Sequence, residues 1–123
     1  MRITAMMTSV FGAVSAVFIA LLMSTQLAIA ADDSAIAAGK KIAFDRTKGN
    51  CLACHMIEGG ELPGNIGPAL VAIKARFPDK AKLRAQIWDS TRSNPNSIMP
   101  PFGRHEILTE SEIDKVVEFI YSL

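Results

Sequence analysis

The residues best able to do chemistry stand together in the segment C-L-A-C-H at positions 51–55. Two cysteines three positions apart lie about one helical turn from each other, so both thiols can add to the vinyl groups of one haem. The histidine that follows can then direct its imidazole at the iron. The pattern therefore predicts one covalent haem c, attached at Cys51 and Cys54 and ligated to iron by His55.

Two other uses of this motif are weighed against haem attachment. A thioredoxin-like redox pair also has C-x-x-C spacing, but it belongs to a βαβ pattern that this sequence lacks. A structural zinc site needs four ligands, and the spacing of the available cysteines and histidines fits none of the common zinc patterns. The four candidate zinc ligands would be Cys51, Cys54, His55 and His105. The haem interpretation is favoured over both.

The second axial ligand determines whether such a haem transfers electrons or binds substrate. Three side chains are candidates: Met56, Met99 and His105. Met56 adjoins His55 and cannot reach around the porphyrin, whereas Met99 precedes two prolines that stiffen its loop. A lone methionine more often fills a core, but here we expect Met99 to bind iron, with His105 as the alternative. A His–Met pair predicts a six-coordinate, relatively high-potential haem suited to electron transfer.

Two further residues are candidates for contacts around the haem. The carbonyl of Pro68 could accept the second ring N–H of His55, or Pro68 could simply form a turn before a helix. Trp88 could donate its indole N–H to a haem propionate, although its residue type alone favours a place in the core. Both cysteines of the chain are assigned to haem attachment, so no thiolate nucleophile and no catalytic residue is predicted.

The start of the chain indicates export. The uncharged stretch after Arg2 has an apolar centre at 10–23 and a small-residue A-x-A pattern at 28–30. This layout predicts a secretory signal peptide at 1–30 and a mature domain at 31–123. An uncleaved membrane anchor is the alternative, but the apolar centre is shorter than the roughly 20 residues of a spanning helix. The mature chain would carry twelve basic and twelve acidic residues, which gives no reason to expect binding to nucleic acid or to an anionic membrane.

The remaining chain predicts helices joined by long loops. Strand patterns are nearly absent, so the expected fold is all-α. The loops at 59–68 and 94–103 are long for a small domain, and packing against a large cofactor would explain them. The expected helices are 34–44 with Ser34 as N-cap, a short turn within 69–76, a helix from Pro78 that fails by Asn94, and a last helix after a Thr109–Glu112 capping box.

The order of these features resembles class I cytochromes c. That family has C-x-x-C-H after a first helix, then a Gly-Pro-x-Leu segment, a Met-Pro loop, and a terminal helix that crosses the first. The resemblance implies small helices wrapped around one haem, with Met99 as the second ligand and the Pro68 carbonyl as acceptor. It also implies that Gly39 lets the aromatic side of the last helix, with Phe119 and Tyr121, approach closely.

Four sequence blocks in order are similar to a narrower family, the SoxX subunits of the SoxAX cytochromes of bacterial sulfur oxidation. The blocks lie at 49–55, 60–68, 83–89 and 94–109. The resemblance implies a periplasmic heterodimer with a SoxA-type haem subunit, in which thiosulfate is joined oxidatively to a cysteine of a SoxYZ-type carrier protein. It implies that this chain is the non-nucleophilic electron-transfer subunit of that S-thiosulfotransferase and that it passes electrons to a soluble cytochrome c.

Two other functions stay open from the sequence. A freestanding periplasmic class I cytochrome c would shuttle electrons by itself, although such carriers usually present a charged docking face and the mature chain is neutral. A haem enzyme or ligand sensor would need an open iron position, which requires that Met99 does not bind.

Overall fold

The protein is built from helices that follow one another along the chain and are joined by turns and long loops. The computed structural model describes residues 32–123, and the expected signal peptide at 1–30 lies outside these residues. No residue of the described part lies in a strand, so the expected all-α fold is confirmed. The helices are α1 (32–44), α2 (Ile73–Arg76), α3 (Lys80–Trp88) and α4 (Glu110–Tyr121), with 3₁₀ turns at Cys51–Ala53 and Ser90–Arg92.

The first helix differs from expectation at its start. Residues 32 and 33 are already helical. An N-cap residue has non-helical backbone angles, so the prediction that Ser34 caps this helix is wrong. The end of the helix at Phe44 agrees with the prediction.

Helices α1 and α4 cross at Gly39. A Cβ atom at this position would lie 1.9 Å from the carbonyl oxygen of Lys115 and 2.9 Å from the Cβ of Phe119. Phe44 packs edge-on against Phe119, with ring centroids 5.8 Å apart. The glycine thus lets the two helices meet backbone to backbone. Tyr121 donates its hydroxyl to the carbonyl of Pro78, in the loop before α3.

The last helix begins with the predicted capping box. The hydroxyl of Thr109 accepts the N–H of Glu112 at 3.3 Å, and the Glu112 carboxylate accepts the N–H of Thr109 at 3.0 Å. The helix turns one apolar face into the core, formed by Ile113, Val116, Val117, Phe119 and Ile120. Burial of each such side chain contributes about 1.5–3 kcal/mol relative to exposure, so α4 is a principal anchor of the fold.

The third helix begins at Lys80, two residues after the predicted start at Pro78, because Asp79 is the N-cap and its side chain accepts the N–H of Ala81 at 2.9 Å. Leu83 and Ile87 are its buried residues. The helix ends at Trp88. Asp89 then caps the following 3₁₀ turn, because its carboxylate accepts hydrogen bonds from the N–H and the hydroxyl of Thr91. The chain changes direction at this corner and enters the long loop that precedes α4.

None of the helices within residues 32–123 combines the length and the apolar character that crossing a membrane requires.

Candidate functional site

The C-x-x-C-H motif lies in a tight turn. Asn50 has a left-handed backbone with φ 47°, which asparagine adopts more readily than most residues. The turn Cys51–Ala53 follows, and the N–H groups of Cys54 and His55 both donate to the Cys51 carbonyl, at 3.2 and 2.9 Å. As a result, Cys51, Cys54 and His55 all line one cavity.

This cavity has a volume of about 670 Å³, which is in the usual range for sites that hold organic ligands. Core side chains form its apolar wall, among them Ile73, Leu83, Ile87, Phe102, Val116 and Ile120. Cationic side chains also reach it, namely Arg46, Lys48 and Arg76. A large apolar ring with anionic propionates fits this combination, so the cavity is suited to a haem.

The imidazole of His55 is held by its surroundings. Its Nδ1 lies 2.7 Å from the carbonyl oxygen of Pro68. Because a carbonyl only accepts hydrogen bonds, Nδ1 carries the proton and Nε2 keeps a free lone pair. A Cβ at Gly67 would lie 2.5 Å from Cε1 of the ring, so only glycine leaves room for the imidazole in this position. The local arrangement prepares His55 to be a metal ligand through Nε2.

The three candidates for the second ligand differ in position. Met99 is half-buried and lines the same cavity as His55. Met56 is 58% exposed, and His105 is exposed and lies beside Arg104, with 3.4 Å between their side-chain nitrogens. Neither of these two belongs to the cavity lining among the described residues. The placement favours Met99, whose role as iron ligand stays a prediction.

The Trp88 side chain packs beside Gly103 and Arg84. Its ring is not part of the described cavity wall. A Cβ at Gly103 would lie 2.1 Å from the indole, so the ring packs directly against this glycine. On another side, the guanidinium of Arg84 lies 5.4 Å from the ring centroid. These contacts agree with the packing interpretation of Trp88, and its contact with a haem propionate stays a prediction.

The other two uses of the motif find no support in the described residues. These residues hold no group of three or more histidine, cysteine, aspartate or glutamate side chains that could bind a metal ion, as a zinc site would need. Burial raises the pKa of the Cys51 thiol to about 11, so this cysteine is a poor nucleophile, unlike a reactive redox thiol.

An ion pair that no sequence pattern indicated joins the segment before the motif to the last helix. Lys48, which lines the cavity, donates to the carboxylate of Glu112. The hydrogen bond from Lys48 and the backbone N–H of Thr109 lower the pKa of Glu112 to about 2. The partners are 64 positions apart, so no local pattern could have indicated this contact.

The comparisons with known proteins agree with this site. Residues 36–123 match the family model described as Cytochrome c. A structural match is a chain in the crystal structure of SoxXA from P. pantotrophus, with a TM-score of 0.62 and 27% identity, covering 68% of this chain and 77% of that one. A relative named "Uncharacterized lipoprotein" from Aquifex aeolicus (strain VF5) is 35% identical over 75 residues, which are 60% of this chain and 36% of the relative. The chain thus spans about a third of that relative's length.

The family model covers most of the described residues and includes the attachment motif, the cavity and α4. A covalent haem c at Cys51 and Cys54 and a role in electron transfer follow from this membership. The predicted class I fold and the similarity to the SoxX type are confirmed as well. The chain belongs to the cytochrome c family.

Proposed function

We propose that the chain is the electron-transfer subunit of a SoxXA-type complex. The structural match to SoxXA carries the proposal. In the proposed complex, a SoxA-type haem subunit supports the oxidative joining of thiosulfate to a cysteine of a SoxYZ-type carrier protein, which releases two electrons. This chain receives them one at a time and passes them to a soluble cytochrome c.

The side chains of the cavity suit this task. When bound, haem c supplies a one-electron iron couple. The hydrogen bond to Pro68 holds His55 in the tautomer that leaves Nε2 free, and we assign His55 and Met99 as the residues that would bind the haem iron. A thioether ligand favours the reduced iron and raises its potential. If His55 and Met99 both bound the iron, no ligand position would be left for a substrate, and the site would be suited to transfer of electrons.

The covalent chemistry is assigned to the partner. The whole chain contains two cysteines, and haem attachment uses both of them. No thiol is left that could act as a nucleophile or carry a sulfur group. The chain therefore contributes to the thiosulfate-oxidising enzyme as an electron acceptor, and its partner supplies the active centre.

The proposed location is the periplasm. Residues 1–30 have the sequence layout of a signal peptide, and we assign 31–123 to the exported cytochrome domain. Mass spectrometry of the protein purified from periplasm tests this assignment, because cleavage near Ala30 removes a defined mass.

Co-purification tests the proposed complex. The full chain is expressed with haem-maturation factors and a tagged SoxA-type subunit, and an unrelated class I cytochrome c replaces it in the control. A stoichiometric complex whose haem in this chain is reduced on addition of thiosulfate and carrier protein is the expected result. If the haem-loaded chain did not co-purify with the SoxA-type subunit and remained a monomer, it would instead be a freestanding carrier.

A pair of methionine variants tests the ligand assignment. Met99→Ala should abolish the weak sulfur-to-iron absorption band and lower the reduction potential. Met56→Ala is the matched control, because the Met56 side chain is 58% exposed and lies outside the cavity lining. If Met99→Ala left the spectrum unchanged, His105 or an open iron position would have to be considered.

A further inference from the structure

The loop that carries Met99 is attached to the corner after α3. Ser90, the first residue of the 3₁₀ turn, has no exposed surface. Its hydroxyl lies 2.8 Å from the hydroxyl of Ser97 and 3.0 Å from the carbonyl oxygen of Met99. The hydroxyl of Ser97 in turn lies 3.3 Å from the backbone nitrogen of Met99. Two serines thus contact both backbone polar groups of the residue assigned as iron ligand.

The direction of each hydrogen bond follows from the proton count. The Met99 carbonyl only accepts, so the single hydroxyl proton of Ser90 points at it. The backbone N–H of Met99 only donates, so the oxygen of Ser97 accepts it. The proton of Ser97 is then available for the oxygen of Ser90. The three hydrogen bonds form a closed ring in which every donor has an acceptor, and we call it the serine ring.

We infer that Ser90 and Ser97 are positioning residues that hold Met99 toward the haem through the serine ring. The inference rests on the proposed function, since it takes Met99 as the second axial ligand. Hydrogen bonds that form a closed chain strengthen one another. A backbone fixed at both its N–H and its carbonyl leaves mainly the side-chain torsions of Met99 free, which lowers the entropy cost of keeping the thioether in place.

A second attachment of the loop lies beyond Met99. The N–H of Gly103 donates to the Trp88 carbonyl at 3.0 Å, and the Arg104 guanidinium lies 3.4 Å from the Asp89 carboxylate. These contacts fix the far end of the loop and do not touch Met99. Loss of the serine ring should therefore loosen the ligand while the loop stays attached and the fold is kept.

Competition with imidazole measures how firmly Met99 is held. Imidazole binds ferric haem only when the methionine leaves, so its apparent affinity rises as the methionine is released more often. Ser90→Ala removes one buried donor and leaves the Met99 carbonyl without that partner. The apparent imidazole affinity of the haem-loaded protein should rise about five- to tenfold. The sulfur-to-iron band should weaken, and the reduction potential should fall.

The variants are chosen to separate positioning from general stability. Ser97→Ala opens the same ring from a half-exposed site and should give a similar rise in affinity. The double variant should raise the affinity further than either single one, because each single variant still leaves Met99 one hydrogen bond to the remaining serine. The rise should differ from the product of the two single effects, because the bonds are coupled. Ser97→Thr keeps a hydroxyl and should behave as the wild type. Ser93→Ala is the control, because Ser93 is exposed and its side chain makes none of these contacts.

Each outcome decides a separate question. If the wild type shows the sulfur-to-iron band and both alanine variants match Ser93→Ala in imidazole affinity, the serine ring has no positioning role. If Ser90→Ala fails to fold, Ser97→Ala decides alone. If the wild type itself lacks the band, the assignment of Met99 as ligand is wrong and this inference is overturned with it, whereas co-purification with a SoxA-type subunit would still stand by itself.

Discussion

Replacing Gly39 with alanine puts a methyl group into the crossing of α1 and α4. The new Cβ would lie 1.9 Å from the carbonyl oxygen of Lys115, where about 3 Å is the closest approach that real structures show. The obstacle is backbone, and no side chain can rotate away from it. The two helices must therefore separate locally by about 1 Å, which also disturbs the contact between Phe44 and Phe119.

Two effects of opposite sign decide the result. In a helix, alanine is favoured over glycine by about 0.8–1 kcal/mol. Overpacking of a close contact costs about 1–3 kcal/mol and occasionally more. We expect overpacking to win, with a net loss of roughly 1–2 kcal/mol in the free energy of unfolding of Gly39→Ala.

Urea unfolding of the haem-loaded protein, followed by far-ultraviolet circular dichroism, measures this loss as a lower midpoint at an unchanged slope. Ala37→Gly is the matched control, because Ala37 is exposed in the same helix. It should lose about 1 kcal/mol from helix propensity alone. If Gly39→Ala were at least as stable as the wild type while Ala37→Gly lost about 1 kcal/mol in its free energy of unfolding, the close crossing would not constrain the fold.

Three further changes have defined outcomes. Gly67→Ala should displace the His55 ring, since the new Cβ would lie 2.5–3.0 Å from three ring atoms. The reduction potential and the absorption spectrum should therefore shift, while the amount of covalently bound haem stays constant. The hydrogen bond from Lys48 and those from Thr109 lower the pKa of Glu112 from 4.5 to about 2, so this carboxylate stabilises the fold above pH 4.5 and the stabilisation is lost as pH falls toward 2. Glu112→Gln should therefore lower the free energy of unfolding at neutral pH and make it fall less steeply between pH 4.5 and 2; an unchanged fall would contradict these contacts of Glu112. Leu62 is 93% exposed and has a left-handed φ of 50°, so Leu62→Asn should raise the free energy of unfolding by roughly 0.5–1 kcal/mol, and a lower thermal midpoint would contradict this reasoning.

The features that the sequence predicted well depend on neighbouring residues. The capping box of Thr109 and Glu112 uses groups within one turn, so its pattern is visible in the chain itself. The start of α3 after Pro78 and the single turn of the attachment motif are local in the same way. Such elements satisfy their own backbone groups and need little help from the rest of the fold.

The missed features depend on contacts between distant segments. The Trp88 ring packs directly against Gly103, which lies in the next loop of the chain. Lys48 can pair with Glu112 only when α4 is packed in the folded protein, because the two residues are 64 positions apart in the chain. The serine ring joins Ser90 to residues of the next loop, and nothing in the local sequence distinguishes this serine from the exposed Ser93. Which partner each of these side chains meets is decided by tertiary packing.

The burial of Cys51 has a consequence for the biogenesis of the protein. With a pKa of about 11, only roughly one thiol in 10⁴ is ionised at neutral pH, and the half-buried side chain limits access to it. A chain that had already folded would therefore be a slow acceptor for haem. We expect maturation enzymes to attach the haem while the chain is still unfolded. The packing of α4 would then follow attachment and enclose the cofactor. Equal rates of attachment to prefolded and to unfolded chains would contradict this order of events.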